Sequence, residues 1–162
     1  MSTLVHQLVL ASPDRGDGHD VTGEPGDCWR TCIANMLGVH PSTVPNFVRY
    51  RSWMDEARRW LRARGYDYGY VIGGVEGLRN LRDDLDEGAW FIVTGPSPRG
   101  PWRHCVLMDR DLQLVHDPHP SGLGIITDDE TEVEVELVQE GLFDRAPQPM
   151  PMLTATSRRT AA

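Results

Sequence analysis

The chain contains no lysine. All 16 basic residues are arginine, set against 24 aspartates and glutamates, and the formal net charge is −8. The basic surplus that marks a nucleic-acid binder is therefore missing, which argues against nucleic acid as a main partner. Arginine alone suits fixed ion pairs, because its planar fork meets carboxylates at two points, and an all-arginine set is also what GC-rich coding produces. Long apolar runs are missing too. No window approaches the length of a transmembrane helix, so no membrane partner is expected. The start, Met1-Ser2-Thr3-Leu4-Val5-His6-Gln7-Leu8-Val9-Leu10, has neither a basic region nor a long apolar stretch and does not read as an export signal. Cysteine is scarce. Cys28, Cys32 and Cys105, without an export signal, read as free thiols of a soluble protein in a reducing cytoplasm.

What remains is enough for one domain. At 162 residues and 40% apolar content the chain can bury a core, and 12 prolines with 16 glycines predict many loops. Residues 1–21 read as a strand followed by a polar loop, 22–145 as the folded body, and 146–162, punctuated by Pro147, Pro149 and Pro151, as a disordered tail. Within the body, Trp53, Ala57, Trp60 and Leu61 share one face of a helix over 53–64, and Leu78, Leu81 and Leu85 one face of a helix over 75–86. A short strand is predicted at 66–72. The period then becomes two, with strands predicted over 89–94, 102–109, 112–117 and 132–138. In the last of these, Val133, Val135 and Leu137 are expected inward, and Glu132, Glu134 and Glu136 toward solvent. Helices precede strands, an α+β order.

The stretch Gly26-Asp27-Cys28-Trp29-Arg30-Thr31-Cys32-Ile33-Ala34-Asn35-Met36-Leu37-Gly38 sets a cysteine on the first turn of a helix. Asp27 is a good N-cap, and Gly38 sits where a C-terminal cap belongs. Unpaired amides and the positive end of the helix dipole favour a thiolate at Cys28. A small cysteine packed under a helix start is the competing reading. The second informative feature is a hairpin turning about Arg110-Asp111. With Asp109 opposite Leu112, His104 falls directly opposite Asp117, and a three-residue loop would slip that register. A carboxylate beside an imidazole fixes its tautomer and stabilises the imidazolium. If that face packs on the start of the Cys28 helix, Cys28, His104 and Asp117 form a nucleophile, a base and an orienting acid, the arrangement of thiol acyl transfer.

These residues carry a family resemblance over roughly residues 22–125. Gly26-Asp27-Cys28-Trp29 resembles the Gly-x-Cys-Trp around the nucleophile of papain-like cysteine peptidases. His104-Cys105-Val106-Leu107-Met108, followed by Val115-His116-Asp117-Pro118 and Gly122, resembles the histidine strand and Asp-Pro segment of the bacteriocin-leader-processing peptidases of that superfamily. The Gly-Asp-Cys-Trp-Arg-Thr-Cys-Ile-Ala start is similar to small papain-like proteins of actinobacteria and their phages. The resemblance implies an α+β, papain-like fold with the cysteine helix packed on an antiparallel sheet. It also implies a cysteine hydrolase, a peptidase, amidase or isopeptidase, that acts on a peptide or protein through an acyl-enzyme, with no cofactor and no metal. Cys28, His104 and Asp117 would be catalytic. Such peptidases usually carry a glutamine about six residues before the cysteine to stabilise the oxyanion; Thr22 stands there, so the Cys28 amide, Thr22 and Gln7 are the expected donors. Trp29 and Arg99 are candidate substrate contacts, Arg99 for a substrate carboxylate. Two alternatives stand beside this reading. One is a catalytically inactive papain-like binding or virion protein. The other is a zinc protein using Cys28, Cys32 and the His116-Asp117-Pro118-His119 cluster, although that spacing fits no common zinc module.

Overall fold

The computed structural model describes residues 4–8, 26–71, 73–127 and 131–140. Thr22, most of the loop predicted over 12–27, and the tail predicted over 146–162 lie outside them. Among the described residues, three α-helices, α1 (Cys28–Leu37), α2 (Trp53–Arg62) and α3 (Gly74–Leu81), join five strands, β1 (Tyr66–Val71), β2 (Trp90–Pro96), β3 (Arg103–Asp109), β4 (Leu114–His116) and β5 (Glu134–Glu140). The strands make one sheet in the order β1-β5-β2-β3-β4, antiparallel throughout. The fold is α+β.

Alternation along the strands divides the core in two. Tyr68, Ile92, Cys105 and Leu107 face Trp29, Cys32, Ile33 and Ala34 of α1 and Ala57 and Leu61 of α2. Their neighbours Val71, Phe91, Val93, Val106 and Met108 turn the other way onto Leu78 of α3. Burying a leucine such as Leu61 or Leu78, each fully covered, contributes about 1.5–3 kcal/mol. The middle strands are covered on both faces, which explains their unbroken apolar runs.

Four local expectations change. Residues 4–8 are not a sheet strand; instead the Asn35 side chain pairs with the Val5 backbone, accepting from its amide at 2.9 Å and donating to its carbonyl at 3.0 Å. Asp27 does not cap α1 through its side chain; its carboxylate is buried against Arg30, with the Leu8 amide 3.2 Å away. Glu136 does not face solvent. Helix α1 covers that face of β5, with the Trp29 indole N–H donating to the carboxylate at 2.7 Å, and Glu136 is only 2% exposed.

The β3–β4 hairpin is the fourth. Its loop holds three residues, Arg110-Asp111-Leu112, with Leu112 at φ +61° and the Asp109 amide bonded to the Gln113 carbonyl. That slips the expected register by one. Met108 then pairs with Leu114 but Leu107 with His116, leaving Val115 as an extra residue and slipping it once more. Two single slips restore the parity of faces, so Asp117 leaves β4 on the side of His104 although the two are not directly opposite.

Helix α1 does end as its sequence requires. Gly38 adopts φ +66°, and the Val39 amide reaches back to the Ala34 carbonyl at 2.9 Å. A side chain at Gly38 would meet no neighbour, so Gly38→Ala should cost only the left-handed backbone strain, about 1–2 kcal/mol. Urea unfolding will measure it, and an unchanged midpoint would contradict it.

Candidate active site

The Thr31 amide bonds to the Asp27 carbonyl at 3.0 Å, which makes Cys28 the first residue of α1. The amides of Cys28, Trp29 and Arg30 thus precede the first intrahelical bond and point out of the helix end. The half-buried Cys28 lies with its sulfur 3.6 Å from the sulfur of Cys105 on β3. Donation from the Cys105 thiol is the strongest influence on Cys28. Burial opposes it, and the hydrogen bond and charge of His104 reinforce it, so the Cys28 thiol is held well below the ordinary range. Cys105 moves the opposite way, raised by its bond to Cys28 and by burial. The two neighbouring thiols are thus shifted in opposite directions, Cys28 downward and Cys105 upward. Cys32, one turn along α1, is completely covered, and burial raises it as well.

His104 begins the buried part of β3. Its Nε2 lies 2.7 Å from Asp117 Oδ1. Burial alone would lower the imidazolium pKa, but the hydrogen bonds to Asp117 and Cys28 more than offset it, and the net shift is upward. Asp117 Oδ1 also accepts from the His119 amide, and Oδ2 from the Gly124 amide, each at 2.8 Å. Burial works against the carboxylate. The bonds from His104 and the two amides prevail, and its pKa falls to about 2. Thiolate, imidazolium and carboxylate are thus each favoured in the charge state that acyl transfer requires.

The remaining candidates divide. The Arg99 guanidinium is turned onto Asp117 Oδ2 at 3.4 Å, Ser121 Oγ at 3.1 Å and the Gly124 carbonyl at 3.3 Å. The carboxylate it meets is therefore Asp117, and Arg99 backs the orienting acid rather than offering itself to a substrate. Trp29 is a correction. It is 2% exposed, edge-on to Phe47, Trp53 and Tyr68, with its indole N–H donated inward to Glu136 Oε2 at 2.7 Å, and no substrate reaches it. Gln7 is brought to the site by its backbone. Its amide donates to the Pro118 carbonyl, next to Asp117, and the following Leu8 amide to Asp27, next to Cys28. Thr22 lies outside the described residues.

Two participants were not singled out from the sequence. Cys105 follows His104 on a strand, where neighbours ordinarily point to opposite faces, so spacing alone gave no reason to bring both to one sulfur. Glu136 is the second. Its Oε2 accepts from Trp29 and from the Tyr68 hydroxyl at 2.8 Å, and its Oε1 lies 3.3 Å from the Thr94 hydroxyl. Thr94 in turn is 3.4 Å from the Cys105 sulfur, so a buried polar chain runs from this carboxyl to the Cys28 pair. The adjacent apolar pair Leu137-Val138, which breaks the alternation, was the available signal that β5 is covered on both faces. Among the described residues no group of three or more His, Cys, Asp or Glu side chains could hold a metal ion, and no helix is long and apolar enough to cross a membrane. Comparison with protein-family models, curated proteins and solved structures finds no match to this chain.

Proposed function

We propose that this protein is a papain-like cysteine hydrolase that cleaves an amide, isopeptide or thioester bond through an acyl-enzyme. One observation carries the reading: His104, whose Nε2 lies 2.7 Å from Asp117 Oδ1, and the Cys28 sulfur at the start of α1 act on each other, the imidazole lowering the thiol pKa and the sulfur raising that of the ring. In this mechanism the Cys28 thiolate attacks the substrate carbonyl. The His104 imidazolium protonates the leaving group, then as neutral imidazole takes a proton from the water that releases the acyl chain. Asp117 keeps the tautomer and stabilises the charged ring. The oxyanion forms beside the helix start, where the Cys28 amide donates and Gln7, whose backbone is tied to Pro118, is a candidate second donor. A cysteine helix packed on an antiparallel sheet whose histidine lies on an inner strand supports the same assignment.

Thiol reactivity tests the reading without knowledge of the substrate. Near pH 6, iodoacetamide should modify Cys28 at least about tenfold faster than Cys32 or Cys105, as followed by peptide mass mapping. Equal rates at the three cysteines would overturn the activated thiolate.

A further inference from the structure

Two thiols in contact are more than a nucleophile needs. We propose that Cys28 and Cys105 form a peroxide-sensitive dithiol, in which Cys28 is the oxidation site and Cys105 the resolving thiol that converts it to a reversible disulfide. The sulfurs are 3.6 Å apart and belong to elements packed against each other, α1 and β3. A disulfide needs them about 2.05 Å apart, so closure requires a shortening of about 1.5 Å, within the range of side-chain rotation. Exposure is divided as such a pair requires. Cys28 is half-buried and open to a small oxidant, whereas Cys105, 6% exposed, is reached through Cys28. Cys32 is fully covered in the core and takes no part.

The chemistry closes on one hydrogen peroxide. The Cys28 thiolate attacks a peroxide oxygen; the S–O bond forms as the O–O bond breaks, and the sulfur gives up two electrons. The departing hydroxide takes the imidazolium proton of His104 and leaves as water. The Cys105 sulfur then attacks the sulfenic acid: the S–S bond forms, the S–O bond breaks, and the Cys105 proton leaves with the hydroxyl as a second water. Two thiols and one peroxide give one disulfide and two waters. The product takes away the free Cys28 thiol and ties α1 to β3, and a small dithiol restores both sulfurs. Where the resolving thiol is missing, further peroxide carries the sulfenic acid on to sulfinic and then sulfonic acid, one peroxide reduced to water at each step, and dithiols do not reduce these products.

The test is to treat the reduced full-length protein with about tenfold molar excess of hydrogen peroxide, enough for every step of the oxidation ladder, and map its peptides without reductant. The expected product is a linked peptide carrying Cys28 and Cys105, lighter by two hydrogens than its parts. Cys28 should lose its reaction with iodoacetamide and regain it after dithiothreitol. Cys32→Ser should form the same link. Cys105→Ser should regain little of the labelling and carry sulfinic or sulfonic acid at Cys28. A wild-type protein without the Cys28–Cys105 link, a link to Cys32 instead, or equal recovery in Cys105→Ser would each overturn the proposal. Fast labelling of Cys28 with no link would refute the dithiol and leave the hydrolase reading standing.

Discussion

Asp117→Ala is expected to destabilise the protein by about 3–5 kcal/mol, the usual cost of removing one partner of a buried pair. It is also expected to slow alkylation of Cys28 near pH 6 by about tenfold. Asp117 is 5% exposed, and four donors converge on its two oxygens: His104, the His119 and Gly124 amides, and Arg99. Alanine would leave a guanidinium, an imidazole and two amides with an acceptor missing in a covered site. The kinetic loss comes from the imidazole, whose raised affinity for a proton depends in part on this carboxylate. Without it the charged ring that helps to hold the thiolate is less populated at a given pH. Asp117→Asn separates the two effects. Its amide oxygen keeps the shape and part of the hydrogen bonding, and Cys-His-Asn sites run the same chemistry, so Asn should keep more of both stability and reactivity than Ala. Acid unfolding reports on the same carboxylate. The native pKa, lowered to about 2 from 3.8, gives stability that is fully present above pH 3.8 and lost as pH falls toward 2. The stability gap between wild type and Asp117→Asn should therefore narrow across that interval in urea titrations. A gap that stays constant would show that the charge of Asp117 does not matter to the fold.

The α+β class, the helix carrying Cys28 and the apolar faces of α2 and α3 were legible because each rests on a period repeated several times along the chain. Ala57, Leu61 and Leu78 are fully buried as those periods require. The site was legible as residue types but not as a register. Expected direct opposition of His104 and Asp117 gave way to a three-residue loop and an extra Val115, two departures whose effects on facing cancel. Arg110-Asp111 is weak turn chemistry, and nothing in the sequence distinguishes one slip from two. The error at Glu136 has a different source. Alternation reports which face is more apolar, and strand order together with the helices packed on the sheet decides whether the other face sees water. The insertion of β5 between β1 and β2 is a long-range fact that no local pattern contains. Trp29 was misassigned for a related reason: its position beside Cys28 suggested a substrate contact, but a side chain one residue further round a helix points about 100° away, here into the core.

Glu136→Gln is expected to leave stability near pH 5 within about 1 kcal/mol of wild type and to raise it by about 2–3 kcal/mol at pH 8. The covered site raises the pKa of Glu136 first through burial. Donation from Trp29, Tyr68 and Thr94 recovers part of that cost, and the value settles at about 7, against 4.5 for a free side chain. A pKa raised on folding stabilises fully below the unfolded value, and that contribution is lost as pH rises through the folded one. Wild-type stability should therefore decline between pH 4.5 and about 7 as the unfolded chain, but not the native one, releases this proton. Glutamine has nothing to ionise. Its carbonyl oxygen can accept from Trp29 and Tyr68, and its amide can donate to the Thr94 hydroxyl oxygen, so the hydrogen bonds survive while the slope disappears. The raised pKa of His104 also takes away stability as pH rises, but it is common to both proteins and cancels in the difference. Urea unfolding at intervals from pH 5 to 8 provides the measurement, and parallel profiles for the two proteins would show that Glu136 is ionised at no unusual cost. Because the chain from Glu136 reaches Cys28 only through Thr94 and Cys105, alkylation of Cys28 should change far less in Glu136→Gln than in Asp117→Ala. The carboxyl that sets the pH dependence of the fold is thus distinct from the one that orients the imidazole.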